Sequence, residues 1–104
     1  MKTYNKLVRD KIPQIMKNSN KFFDIHIASK EEVLEFLHKK LDEEVAEFHQ
    51  DKNLEELADI MEVLFALAKN LGYDEESLIE KRLEKREARG GFDENIVLEN
   101  VYEV

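Results

Sequence analysis

Four carboxylates stand at mirrored distances from one predicted turn: Glu44 and Glu47 before it, Glu56 and Asp59 after it. If the chain reverses near Asp51 and Lys52 into a second helix, Glu47 faces Glu56 and Glu44 faces Asp59, because each pair is equally far from the bend. The i, i+3 spacing puts both acids of a pair on one helical face, one turn apart. Four like charges so placed repel one another unless something cationic lies among them. Oxygen ligands converging from two helices suit a hard divalent ion, Mg²⁺ or Mn²⁺. The pattern therefore predicts a carboxylate cage for one or two divalent ions.

The elements that must hold these acids are legible as helices. Ser29 and Glu32 have the spacing of a capping box, which opens a helix whose apolar stripe is Leu34, Leu37, Leu41, Val45 and Phe48. At roughly 100° per residue, Glu44 lies about 60° from the centre of that stripe, Glu47 about 120° and Glu43 about 160°. Glu44 is thus expected at the edge of the core and Glu43 close to solvent. Asn53 and Glu56 offer a second capping box for a helix from Leu54 to about Leu71, ended by Gly72. Its apolar residues, among them Leu57, Ile60, Met61, Val63, Leu64, Leu67 and Leu71, cover well over half the circumference. That breadth predicts a buried central helix. Glu56 falls inside the apolar arc and Asp59 just outside Val63. An ionised carboxylate so placed is costly unless paired, protonated or bound to metal.

The flanking segments are shorter. Residues 4 to 19 hold a short helix, with Asp10 as a cap, Pro13 in the first turn and Ile12, Ile15 and Met16 on one side. The stretch from Phe22 to Ala28 alternates Phe23, Ile25 and Ile27 with Asp24 and His26 and reads as a brief extended segment, a strand or an arm. Asp74 caps a fourth helix that runs to about Arg89, where Gly90 and Gly91 stop it. The tail from Phe92 carries Ile96, Val97, Leu98, Val101 and Tyr102, apolar enough to dock on the bundle or on a neighbouring subunit. The sum is a single all-α domain over residues 1–104, a bundle of about four helices with a short extended segment near 22–28.

Duller readings compete at each position. Glu43, Glu44 and Glu47 can form a solvated face paired with Lys39 and Lys40, and Glu56 can belong wholly to its helix cap. His26, His38 and His49 share no spacing with the acids and read as ordinary surface or partly buried histidines. Ser19, Ser29 and Ser77 lack a base partner and read as turn or cap residues. Gly90 and Gly91 beside Arg89 could admit a phosphate, and a helix stop explains them equally well.

Composition narrows the function classes. The 104-residue chain has 42% apolar and 38% charged residues, 3 Gly and 1 Pro, which suits one small helical core that gains from oligomerisation. A formal charge of −8 argues against nucleic-acid binding, which depends on a basic surface. The start, Met1 to Lys11, is charged, and the longest apolar run, Val63 to Ala68, is too short for a membrane span. No cysteine occurs, so disulfides and thiolate chemistry are excluded and a reducing cytoplasm is the expected setting. The basic residues cluster: Lys6, Arg9 and Lys11 near the start, then Lys81, Arg82, Lys85, Arg86 and Arg89 near the end. Basic flanks around an acidic middle suit a small polyphosphate shared between metal and guanidinium groups.

The run Glu43-Glu44-x-x-Glu47 followed by Glu56-x-x-Asp59 resembles the motif of the all-α nucleoside triphosphate pyrophosphohydrolases, the MazG-like and phosphoribosyl-ATP pyrophosphohydrolase-like superfamily. The opening Tyr4-Asn5-Lys6-Leu7-Val8-Arg9-Asp10-Lys11-Ile12-Pro13 and the closing Arg89-Gly90-Gly91-Phe92, with Ile96 and Leu98, are similar to its small stand-alone branch. The resemblance implies a Mg²⁺-dependent helical dimer or higher homo-oligomer with a house-cleaning role. It would cleave a nucleotide between its α and β phosphates to a nucleoside monophosphate and pyrophosphate. It implies Glu44, Glu47, Glu56 and Asp59 as metal ligands, with Glu43 as the leading acid of the motif. Glu47 or Glu43 would then act on the attacking water, and Lys6, Arg9, Lys11, Lys81, Arg82, Lys85 and Arg89 would meet phosphate. Two alternatives stay open: hydrolysis of phosphoribosyl-ATP in histidine biosynthesis, and a non-catalytic metal-binding or interaction module. One departure stands out. Only eight residues separate Glu47 from Glu56, a tighter hairpin than in many relatives.

Overall fold

Four helices, and no strand, form among residues 2–103, which the computed structural model describes. They are α1 (Ile12–Asn18), α2 (Lys30–Asp51), α3 (Leu54–Asn70) and α4 (Glu75–Arg89). The architecture is the expected all-α bundle, built around the α2/α3 hairpin with α4 laid against α3. None of the helices is long and apolar enough to cross a membrane.

The helix boundaries follow from local chemistry. Ser29 Oγ accepts the Glu32 N–H at 3.1 Å and Glu32 Oε1 accepts the Ser29 N–H at 3.0 Å, so the capping box is closed in both directions. Only Lys52 and Asn53 separate α2 from α3. Asn53 Oδ1 takes the Glu56 N–H at 3.0 Å, but the reciprocal bond from the Glu56 carboxylate does not form, leaving that side chain free. Gly72, at φ +93°, turns the chain out of α3 while the Tyr73 N–H reaches back to the Ala68 carbonyl at 2.9 Å. Asp74 then caps α4 by accepting the Ser77 N–H at 2.8 Å. The first helix is shorter than predicted and starts after Lys11, where Asp10 makes no capping bond and the Ile12 N–H bonds to the Arg9 carbonyl.

Packing departs from the wheel in one instructive way. The covered side of α2 keeps Leu37, Leu41, Val45 and Phe48 of the expected stripe, loses Leu34 and takes in Val33, Lys40 and Glu44. Leu37 and Glu44 are its two buried residues, and Leu34 is exposed. Glu44 therefore lies in the core and not at its edge. On α3 only Val63 and Ala68 are buried, while Leu57, Met61, Leu64 and Leu71 form an open apolar stripe. The expected burial of α3 on most of its circumference is not achieved by this chain alone.

Both arms splay outward. Residues 21–29 have no partner strand despite their alternation, and Phe22 and Ile27 are almost fully exposed. The tail past Gly91 is exposed along its length, so it does not dock on its own bundle. The accessible surface is 9990 Å², against about 6,100 Å² for a compact monomer of this mass. The Cα radius of gyration is 18.4 Å, against about 13 Å for a compact chain of this length. Exposed large apolar side chains such as Phe22, Ile27, Phe92 and Ile96 contribute to the excess.

The closed capping box generates the first prediction. Ser29→Ala removes a closed N-terminal cap and is expected to cost about 1 kcal/mol in urea unfolding at fixed protein concentration, whereas Ser29→Asp retains most of it.

Candidate metal centre

The α2/α3 hairpin brings together the four acids that the mirrored spacing singled out. One oxygen from each of Glu44, Glu47, Glu56 and Asp59 lies within 4.8 Å of the other three. A divalent ion with oxygen ligands at about 2.1–2.4 Å spans a shell of about that diameter, so the set fits one ion without rearranging the helices. Among the described residues no other group of acids and histidines stands so close. His26 pairs instead with Glu32 at 3.4 Å, and His38 and His49 are exposed.

Two oxygens show that the cluster is not a solvated acidic face. Glu44 retains 6% of its exposure and its Oε2 is buried with no hydrogen-bond donor, and Glu56 Oε2 is orphaned in the same way. Buried lone pairs without a donor are costly, and an oxygen-seeking cation is the simplest group that satisfies both. The electrostatics agree. Burial raises the Glu44 carboxyl above its ordinary value, the neighbouring Glu47 raises it further, and Lys40 partly offsets both. Desolvation likewise raises Glu56, with Asp59, Glu44 and Asp51 adding like charge. These donors are hard oxygens with no sulfur or imidazole, the chemistry of a divalent-metal site.

Cations already border the cluster. Lys40 Nζ stands 3.3 Å from Glu44 Oε1 and 3.5 Å from Glu43 Oε2, the pairing that the i, i+4 and i, i+3 spacings allow. The solvated-face reading of Lys40 is thus right about the partner and wrong about the setting, since Lys40 is largely buried with Glu44. Glu43 lies outside the four-oxygen group. Burial opposes its ionisation, but a hydrogen bond from Lys6 and the charges of Lys40 and Lys6 outweigh it and hold its carboxyl below the ordinary range. Arg9 Nη2 meets Asp59 Oδ1 at 2.7 Å. Both bonds from the opening segment cross long stretches of sequence and have no periodic signal that could announce them.

Beside the cluster runs an open cavity of 660 Å³ along the facing sides of α2 and α3. Glu44 and Asp59 line it, with Leu37, Val63 and Ala66 and, from the opening segment, Leu7 and Val8. Arg9, Lys11, Lys40 and Lys69 supply its positive charge. Of the basic residues proposed from sequence, Arg9 and Lys11 line this cavity and Lys6 binds Glu43. Lys81, Arg82, Lys85 and Arg89, all on α4, do not line it. Lys81 pairs with Glu84 at 3.1 Å, and Arg86 folds back on Asp93 beside Gly91. Lys69 was not singled out by sequence, and a ten-residue step sets it about 80° around the helix from Asp59, so no periodic signal points to it.

A family model described as MazG-like family matches residues 27–103, from just before α2 to the tail. The match covers most of the chain, which belongs to that family. No curated protein and no solved structure matches the chain.

The orphaned oxygens predict a stability effect with a defined sign. Burial and the neighbouring Glu47 raise the Glu44 carboxyl in the folded chain, so its ionised form opposes folding above that raised value, and the penalty fades as pH falls into the ordinary carboxylate range. In metal-free protein at neutral pH, Glu44→Gln is expected to stabilise the fold by about 1 kcal/mol, or about 4–8 °C in Tm. Thermal melts in chelator should show the difference shrinking on acidification.

Proposed function

We propose that this MazG-like chain is a Mg²⁺-dependent nucleotide pyrophosphohydrolase that cleaves a nucleoside triphosphate between its α and β phosphates. The observation that supports it most is the four-oxygen group with two buried, unsatisfied oxygens, two of whose acids, Glu44 and Asp59, line a cavity of nucleotide size with apolar, basic and acidic residues in its wall. Its ordinary setting in this reading is the cytoplasm, where such nucleotides are made and used.

Mg²⁺ or Mn²⁺ held by Glu44, Glu47, Glu56 and Asp59 supplies Lewis acidity and charge neutralisation to the phosphate chain. The chain's own residues do the rest. Glu47 orients the attacking water and accepts its proton as the water oxygen bonds to phosphorus. The bridging P–O bond breaks, its electron pair leaves with pyrophosphate, and Arg9 and Lys11 face the charge that departs. Glu43 is less suited to act as the base, because Lys6 and Lys40 already hold its two oxygens. It anchors those two cations beside the site. The apolar wall of Leu37, Val63 and Ala66 receives the nucleoside end.

The same reading includes assembly into a homodimer or higher homo-oligomer. The open stripe of Leu57, Met61, Leu64 and Leu71 and the apolar tail are exposed in a chain whose surface exceeds that of a compact monomer by about 3,900 Å². Apolar faces of this kind support burial against a second copy of the chain.

Two experiments test these proposals. Glu56→Gln and Asp59→Asn are each expected to lower Mg²⁺-dependent pyrophosphate release by about 100-fold or more, with the helical circular-dichroism signal retained. A panel of NTPs, dNTPs and phosphoribosyl-ATP identifies the substrate, and full turnover in both variants would remove the catalytic assignment. Light scattering is expected to give at least twice the 12.3 kDa chain mass, reduced by Met61→Glu. A monomeric mass for the natural chain would overturn the oligomer.

A further inference from the structure

The opening segment does more than line the cavity. Lys6 and Arg9 reach from one short stretch to two different helices, Lys6 Nζ to Glu43 Oε1 on α2 at 3.1 Å and Arg9 Nη2 to Asp59 Oδ1 on α3 at 2.7 Å. Between them Leu7 and Val8 are half-buried against the groove that Leu37, Val63 and Ala66 line. The stretch is fixed at both ends, by Asn5 in the left-handed region at φ +43° and by the turn from Arg9 into α1. Alternating cation, apolar pair and cation thus form a strap across the hairpin. It lies outside residues 27–103, the part of the chain matched by the family.

The strap is bonded to an acid of the four-oxygen group itself. Asp59 belongs to that group and its Oδ1 accepts from Arg9, so the guanidinium competes with any divalent ion for the charge of the same carboxylate. The pair is more than one-third exposed on both sides, which makes it a weak tie that a better ligand can replace. Arg9 also lines the cavity, so its fork needs only a side-chain rotation to leave Asp59 and present two N–H groups to phosphoryl oxygens.

We infer that the strap is an exchangeable counter-cation: Arg9 neutralises Asp59 in the metal-free chain, yields it to the divalent ion, and then binds the phosphate chain of the nucleotide in the cavity. Leu7 and Val8 keep the strap seated through the exchange, and Lys6 holds its other end on Glu43. The inference rests on the metal-site reading above, and it assigns Arg9 opposite effects on the two ligands. A merely structural Arg9 would weaken both.

Titration calorimetry separates these outcomes without recourse to turnover. Mn²⁺ alone is expected to bind Arg9→Gln about 2- to 5-fold tighter than the natural chain, the range set by loss of one exposed ion pair. In saturating Mn²⁺, an α,β-methylene nucleoside triphosphate is expected to bind Arg9→Gln about 10-fold more weakly, as for a lost charge-assisted bond. Arg9→Lys, which keeps the charge, is expected to return Mn²⁺ affinity toward the natural value, and it serves as the second variant should Arg9→Gln fold poorly. Unchanged or weaker Mn²⁺ binding by Arg9→Gln overturns the inference, as does unchanged analogue binding. If Asp59→Asn binds Mn²⁺ as the natural chain does, the metal site falls and the strap's role with it. If the calorimetry holds while no nucleotide is hydrolysed, the hydrolase reading alone fails.

Discussion

The confinement of four carboxylates in a space one ion wide is the constraint to which the rest of this small protein answers. Helix pairs ordinarily meet through apolar side chains, and here Val63 and Leu37 share the interface with Glu44 at its centre. A carboxylate there costs stability unless its charge is met. Lys40 meets part of it from the same helix, and Arg9 and Lys6 meet more from the opening segment. Two oxygens still have no donor. The hairpin is thus held less by its packing than its apolar content suggests, and its acids are positioned by the very helices they strain apart.

That balance places the protein among those that trade stability for a preorganised site. The short connection of Lys52 and Asn53 contributes directly, because it fixes the register of α2 against α3 and leaves the acids little freedom to separate. The half-formed cap at Asn53 contributes as well. Had the Glu56 carboxylate closed a reciprocal bond, as Glu32 does at Ser29, it would satisfy its own helix and leave the cluster one carboxylate short.

Much of this was readable in the order of residues. Caps at Ser29, Asn53 and Asp74 and the stop at Gly72 mark three helices, since each is a local bond between neighbours a few positions apart. The mirrored acids were legible for the same reason: they need only helical periodicity and one turn. The burial of Glu44 was not, because a stripe centred on the leucines puts it at the edge, whereas the covered side also takes in Val33, Lys40 and Glu44 beside Leu37, Leu41, Val45 and Phe48. The breadth of apolar sequence on α3 measured what the helix needs to cover and not what one chain supplies. The strand-like alternation near Phe23 has no strand to pair with. The bonds of Lys6 and Arg9 span 37 and 50 positions and follow from how the arm lies over the hairpin, which no local pattern encodes.

The nearness of the four acids in sequence has a kinetic meaning. All of them lie between Glu44 and Asp59, so the cage can close as soon as one hairpin has been made, before the arm and tail find their places. Contacts of such low order form early in folding. Here a contact of low order is also one that like charge opposes. A divalent ion in the surrounding solution would relieve that opposition at the first step, coupling closure of the hairpin to any cation its acids take up.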